Sequence, residues 1–323
     1  MSSLPGWPHP HVAPFHAGEQ AAQRRTGVHE RMQEIGQRVM RGAMPQQHRD
    51  FFPLLPFVVL GAADAAGQPS ATLLAGAAPG FVSSPSDTAL RIQALPPADD
   101  PLAPLLHEGA QVGLLGIELP TRRRNRANGV VRALGNGGWT LEVQQSFGNC
   151  PKYIQLRRPL ALPDAGAAAP AAPRHATRLD EPMAAQLRAA DTFFIATHAA
   201  GDGINGGSDV SHRGGRAGFV QVSDDGATLT WPDFIGNSFF NTLGNLMLQP
   251  RAGLVFPDFA SGDLLHITGD AEIVWEGPQV QAFAGALRLV RLHLREALLR
   301  PSALPLRWQL QEESPALAGT GRW

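Results

Sequence analysis

The two halves of this 323-residue chain repeat one another, and that repeat constrains the fold more than any other feature. SATLLAGAAPGFV (70–82) aligns with SDVSHRGGRAGFV (208–220) at an offset of 138. Ser70, Gly76, Gly80, Phe81 and Val82 fall on Ser208, Gly214, Gly218, Phe219 and Val220. VGLLGIEL (112–119) aligns with AGLVFPDF (252–259), and RNRANGVVRAL (124–134) with LLHITGDAEIV (264–274). Both pairs stand at an offset of 140, which places Gly129 on Gly269. Phe57 falls on Phe193 at 136. The order is kept while the offset drifts by four residues, as loop insertions produce. Chance matching of glycines and apolar residues is the alternative. The shared GFV and the conserved order favour duplication, and so two similar β-barrel domains packed as an internal dimer.

Local patterns suit a mainly β chain with flanking helices, an α+β class. Glycine and proline, 35 and 28 residues, argue against a helical bundle. Residues 1–50 read as an arm followed by helices, with helical spacing from Gly18 to about Arg41 and again at 45–52. The first copy is expected over 51–160 and the second over 179–323. An Ala/Pro-rich linker at 161–178 joins them. Gly135-Asn136-Gly137-Gly138 marks a hairpin. Helices are predicted at 180–190 and at 279–300, the latter carrying Arg288, Arg291, Arg295 and Arg300.

A formal net charge of −1 recommends neither nucleic acid nor a membrane surface as partner. No apolar run reaches 18 residues, and the N-terminus lacks the pattern of a secretory signal, so the cytoplasm is the expected location. The single cysteine, Cys150, permits no intrachain disulfide and no Cys-based zinc site. His9, His11 and His16 are too loosely spaced to suggest a metal site, and no metal is expected. GDGING (201–206) is only superficially a nucleotide loop, having no βαβ unit around it.

The copies differ in chemistry. Where the first reads LLAGAA and Pro101-Leu102, the second reads SHRGGR and Asn241-Thr242. One of two pseudo-equivalent clefts is therefore expected to be polar and equipped, and the other closed. Ser211-His212-Arg213-Gly214-Gly215-Arg216 offers guanidinium forks suited to phosphate, or else a solvated basic turn. The run from Pro232 to Leu246 includes Asp233, Asn237, Asn241 and Thr242. It ends in a helix that Asn237 or Ser238 can cap, either an anion site or a plain capped helix. In a strand, Arg122, Arg124 and Arg126 share a face and Arg123 takes the other; such a cluster also suits an edge strand that resists aggregation. Cys150, near Lys152, reads as a reactive thiol or as a buried structural cysteine.

SDVSHRGGRAGFV, PDFIGNSFFNTLGNLMLQPRAGLVF and SGDLLHITGDAEI together resemble the pyridoxamine 5′-phosphate oxidase-like, FMN-binding split-barrel family. Its larger bacterial members also carry HAGE, ELPTRRRNR and QSFGNCPKYIQ, here His16–Glu19, Glu118–Arg126 and Gln145–Gln155. The resemblance spans nearly the whole chain. It implies two tandem split β-barrels packed as an internal pseudo-dimer, with FMN bound by groups from both copies. The segment 208–213, with Ser208, Ser211, His212 and Arg213, corresponds to the family's phosphate-side strand. Arg213 falls on a cation that contacts the flavin or its phosphate. Asn241 and Thr242 stand where the oxidases carry an Arg-Lys pair, which leaves the phosphate to neutral donors and a helix terminus. Arg124 takes the place of a partner-subunit Gln. Gln145 and Ser146 resemble the partner's Gln-Ser pair, and Arg307 and Trp308 resemble a C-terminal Arg and Trp. The implied function is an FMN-dependent oxidoreductase acting on a small molecule with a pyridine nucleotide, NAD(P)H, or O₂. A non-catalytic flavin- or haem-binding split barrel is the alternative, with His212, His266 and Cys150 as the available axial ligands. A homodimer beyond the internal one is left open. The oxidases' substrate-phosphate set has no match in a chain whose one tyrosine is Tyr153, so pyridoxamine 5′-phosphate oxidation is not implied.

Overall fold

His16 starts the first helix, α1 (Ala17–Arg25), with a reciprocal cap. Gly18 N–H donates to His16 Nδ1 at 3.2 Å and His16 N–H donates to Glu19 Oε2 at 2.9 Å. The computed structural model describes residues 6–161, 171–200 and 204–323. Residues 1–5 of the arm, 162–170 of the expected linker and 201–203 of GDGING lie outside them. The helical run expected to continue to Arg41 breaks at Thr26-Gly27 and resumes as α2 (His29–Val39). A short α3 (Gln46–Phe51) then leads into the sheets.

The first sheet is built from β1 (Phe57–Ala63), β2 (Pro69–Ala75), β3 (Val82–Ser86), β4 (Ala89–Ile92), β5 (Gln111–Glu118), β6 (Arg123–Gly135) and β7 (Gly138–Gly148). Then come β8 (Leu156–Leu160), β9 (Arg174–Ala176) and α4 (Glu181–Ala189). The second half contains β10 (Thr192–Ala199), β11 (Gly207–Gly214), β12 (Gln221–Val222), β13 (Thr228–Asp233), α5 (Asn241–Leu248), β14 (Arg251–Pro257), β15 (Leu264–Val274), α6 (Pro278–Ala282), β16 (Arg288–Arg300) and β17 (Arg307–Glu312). Among the described residues no helix is long and apolar enough to cross a membrane.

Both sheets are antiparallel and trace one path. The first runs β2-β1-β5-β6-β7-β4-β3 and the second β11-β10-β14-β15-β16-β13-β12, strand for strand the same order. Among the described residues neither path closes on itself, so each copy is an open sheet rather than a closed barrel, of seven strands in the first and eight in the second, where β9 joins off the path. The registers repeat as well. Ser70 faces Ala62 where Ser208 faces His198, and Gly129 faces Val112 where Gly269 faces Ala252. Each long strand carries a bulge at the matched glycine, between Asn128 and Gly129 and between Thr268 and Gly269. A Cβ on Gly129 would stand 1.9 Å from Glu142 O, and one on Gly269 2.2 Å from His293 O. Gly269→Ala is therefore expected to cost about 2 kcal/mol through forced backbone movement, read as a lower urea midpoint at unchanged m. An unchanged midpoint would mean that the bulge relaxes freely.

Each sheet covers its own core, around Trp139 and Leu141 in the first copy and Trp231 and Phe193 in the second. A third core lies between the copies, where Phe57, Val59 and Leu73 meet Phe194, Val210 and Val255. The packing there is reciprocal: β5 lies on β11 as β14 lies on β2, and β1 lies on β10. Glycines permit it, since a Cβ on Gly113 would come 2.8 Å from Asp209 Cα and one on Gly253 2.3 Å from Pro69 O. β8 and β17 pair as a separate ribbon, and β9, inside the stretch read as a linker, pairs with β16.

Two expectations are corrected. Residues 279–300 are not one helix: α6 ends at Ala282, and Arg288–Arg300 form β16. The Leu/Arg/Ala composition favours helix only weakly, whereas β13 and β15 each hydrogen-bond one edge of this segment. The helix expected to be capped by Asn237 or Ser238 starts later, at Asn241. Its N-cap is Phe240, at φ +64° and with no side-chain cap bond, while Asn237 Oδ1 accepts from Phe239 N–H at 3.1 Å.

Candidate functional site

A cleft opens where β6 and the segment after β7 face β11, the end of β13 and the start of α5, so both copies build it. Arg124 and Lys152 come from the first copy. Ser211, His212 and Arg213, then Asp233 and Asn237, then Asn241 and Thr242 come from the second. Its internal volume is about 120 Å³. Five other residues singled out from the sequence lie elsewhere. Ser208 and Gln145 border a second pocket of about 10 Å³, room for roughly one water. Ser146 is buried with its Oγ 2.9 Å from His48 Nδ1, and its backbone pairs with Arg41. Arg307 and Trp308 sit on β17, with Trp308 in the shared core against Phe57 and Phe259.

Strand alternation delivers Arg124 and Arg126 together, as expected, but Arg122 does not join them. It precedes β6 at φ +56° and donates to Ile154 O and Glu312. Arg126 is buried and ion-paired, with both terminal nitrogens hydrogen-bonded but no hydrogen bond from Nε. Its Nε lies 3.1 Å from Asp209 Oδ1, Nη1 donates to Asn241 Oδ1 at 2.9 Å, and Nη2 donates to Ser211 Oγ at 2.6 Å and to Val210 O at 3.1 Å. Arg124 differs. Nη1 donates to His212 Nδ1 at 3.1 Å, Nε is buried without a partner, and among the described residues no carboxylate reaches it. Burial first, then the Arg126 and Arg213 guanidiniums, push its pKa down to about 9.

A guanidinium can only donate, so His212 Nδ1 must accept and its proton sits on Nε2. Burial, then Arg124 and Arg213, hold this imidazole neutral, its pKa well below the usual value. His212 Nε2 and Thr242 Oγ1 are both buried polar atoms without a partner. The first N–H groups of α5 are open by construction, since a helix cannot satisfy its own first turn. Asp233 is shared by Arg288 Nε at 3.3 Å and Arg213 Nη2 at 3.9 Å. The lining thus holds five cationic side chains, Arg124, Arg126, Lys152, Arg213 and Arg288, and one carboxylate. At the mouth Tyr153 packs against Phe234 with centroids 5.2 Å apart, and Cys150 stands nearby.

Arg288, Arg126 and Tyr153 were not singled out from the sequence as binding residues. The helical reading of 279–300 hid Arg288, which as a strand residue lies opposite Asp233. Arg126 was legible from its alternation with Arg124; its carboxylate partner, 83 positions away at Asp209, was not.

The pseudo-equivalent place in the first copy is filled. His266 matches Arg126 in position, and its Nδ1 donates to Ala71 O at 2.9 Å. Arg300 reaches Asp100 Oδ2 at 2.7 Å and Asp99 Oδ1 at 2.8 Å, and Thr72 Oγ1 donates to Asp100 at 2.6 Å. Leu102, which stands where the second copy has Thr242, is fully buried in the core.

No family model matches the chain, and no curated protein does. Solved structures do. They include members of the pyridoxamine 5′-phosphate oxidase-like split-barrel superfamily. A "putative pyridoxamine 5′-phosphate oxidase" from Lactobacillus delbrueckii is 18% identical, over 38% of this chain and 94% of its own, at a TM-score of 0.30. HutZ, the haem storage protein from Vibrio cholerae, is 14% identical over 38% and 94%, at 0.27. An FAD-binding protein from Mesorhizobium loti is 13% identical over 39% and 96%, at 0.25. Likeness this partial carries no argument about what the cleft binds.

Proposed function

We propose that this chain is an FMN-binding flavoprotein, an oxidoreductase acting on a small molecule with NAD(P)H or O₂. In this reading residues 51–160 and 179–323 are two split-barrel copies packed as an internal pseudo-dimer, with one flavin between them. The observation that carries it is the cleft's set of unanswered donors: Arg124 Nε, His212 Nε2, Thr242 Oγ1 and the first turn of α5. Buried donors without partners are costly, so such a set implies an acceptor-rich anion that answers them.

The residues present fit FMN. The first turn of α5 with Thr242 suits a phosphate, because open N–H groups and the helix dipole favour negative charge there. Arg213 and Arg288 already share one carboxylate, Asp233, and keep donor capacity to spare. Arg124 brings a positive charge that no carboxylate among the described residues pairs with, and preorganised charge of this kind favours an anionic ligand. Tyr153 and Phe234 give the mouth a flat apolar wall. When bound, FMN supplies the redox chemistry; the chain binds it, orients it and sets its electrostatics.

Haem is the second reading. His212 is poorly suited as its ligand, since the bond from Arg124 puts the proton on Nε2, the atom that would have to bind iron. His266 Nε2 is unpartnered, but it lies on the filled side, next to Arg300 and Asp100.

Titration of the protein with FMN, followed by flavin fluorescence and absorbance, is expected to show one site per chain. Two equal sites would overturn the asymmetry between the cleft and its filled counterpart. A Soret band on haem addition, with no flavin binding, would favour the second reading.

A further inference from the structure

HAGE, at His16–Glu19, has no part in the binding scheme above, yet it reaches the cleft from behind. Glu19 is buried at 3% exposure beneath the first turn of α5. Its Oε1 accepts from Asn241 Nδ2, and its Oε2 accepts from His16 N–H at 2.9 Å. Asn241 Oδ1 in turn accepts from Arg126 Nη1 at 2.9 Å. A chain of bonds therefore runs from the N-terminal arm through α5 to the first copy, and Asn241 is its middle link. A second tie runs beside it: His16 Nε2 lies 2.8 Å from Asn245 Oδ1, and Asn245 Nδ2 donates to Thr197 Oγ1 at 3.0 Å.

We propose that Glu19 is a positioning residue, which through Asn241 sets both the geometry and the charge of the anion-binding end of the cleft. The inference rests on the reading of that end as an anion site. Three charged or titratable groups face Glu19. His16, on its own segment, has Nε2 3.5 Å from Oε2; Arg126 on β6 and Asp209 on β11 complete the set. His16 is held below its usual value, chiefly by burial. Asp209 is already paired with Arg126, so little positive charge is left to stabilise a carboxylate at Glu19. Burial is the main cause that raises the Glu19 pKa to about 8. A neutral Glu19 holds the amide without placing negative charge behind an anion site. An ionised one would repel the ligand.

The stability sign follows from linkage. A carboxyl whose folded pKa lies above its unfolded value binds its proton more tightly in the fold. Its contribution is complete below the ordinary value of 4.5 and is lost as pH rises towards about 8.

The test compares wild type, Glu19→Gln and Glu19→Ala. FMN affinity is read by flavin fluorescence, and thermal stabilisation is read with sulfate, whose charge is fixed across the range. Wild-type affinity is expected to fall about threefold or more between pH 7 and 9. Glu19→Gln should match wild type at pH 7 within about twofold and lose that part of the pH dependence, because its amide can hold Asn241 and cannot ionise. Glu19→Ala should bind about tenfold more weakly at pH 7. The slope of apo stability between pH 5 and 8 should also shrink in Glu19→Gln.

Wild-type affinity in Glu19→Ala, or a Glu19→Gln profile superimposable on wild type, overturns the positioning role and leaves the anion site standing. Failure of the wild type to bind either FMN or sulfate overturns the anion site and this role with it. Should Glu19→Ala not fold, the Glu19→Gln profile decides alone.

Discussion

Arg126→Ala is expected to cost the fold about 3–5 kcal/mol, the scale for breaking a buried ion pair from one side. Arg126 is 2% exposed and Asp209 is 4% exposed. Without the guanidinium, Asp209 keeps, among the described residues, only Ser211 Oγ and Asn128 Nδ2 as side-chain donors, at 3.1 and 3.3 Å. Val210 O and Asn241 Oδ1 lose a donor as well. Most of the loss is the uncompensated carboxylate, so adding Asp209→Asn to Arg126→Ala should recover a large part of it. Urea unfolding of the two single variants and the double variant measures this coupling. Additive losses would mean that water reaches Asp209 once the arginine is gone, and that the pair does not staple the copies together. Because Arg126 comes from β6 and Asp209 from β11, a strong coupling would make the contact between copies part of the fold's stability.

That contact shows what the sequence could and could not convey. The repeat is a relation between residues at fixed offsets. It therefore foretold that the two sheets share one strand order, and that Gly129 and Gly269 play one role. Duplication also foretold where the copies would diverge, at SHRGGR and Asn241-Thr242, and of these Ser211–Gly214, Asn241 and Thr242 border the cleft. What failed was local. Arg288–Arg300 reads as helix by composition, and only its two neighbouring strands make it a strand. The start of α5 moved to Asn241 because Ser238 and Phe240 both take left-handed backbone, which no spacing rule announces. Ser146 was selected by resemblance, yet its hydroxyl turns towards His48 of the arm and helices rather than towards the cleft. Partners far apart in the chain, such as Glu19 and Asn241, leave no periodic trace at all.

The pair Arg124 and Arg126 separates a binding cation from a structural one, and substitution of Arg124 should expose the difference. Arg124→Met is expected to weaken FMN about 10- to 100-fold, the loss of a charge-assisted contact at a partly desolvated site. The same substitution should leave the apoprotein as stable as wild type or more so. Methionine preserves much of the packing of the arginine stem. It also removes a cation crowded by Arg126 and Arg213, the crowding that, with burial, pushes the Arg124 pKa down to about 9. His212 Nδ1 loses its donor, which offsets part of the gain. Opposite signs for affinity and stability are the mark of a residue held in an unfavourable place for the sake of its ligand. An edge-strand gatekeeper behaves otherwise: its loss raises aggregation and leaves affinity alone. Flavin titration and thermal unfolding on the same soluble variant distinguish the two. Affinity and stability falling together would mean that Arg124, like Arg126, serves mainly to join the copies. Unchanged affinity would take the first copy's arginine out of the site, and with it the physical reason for placing one flavin between two copies.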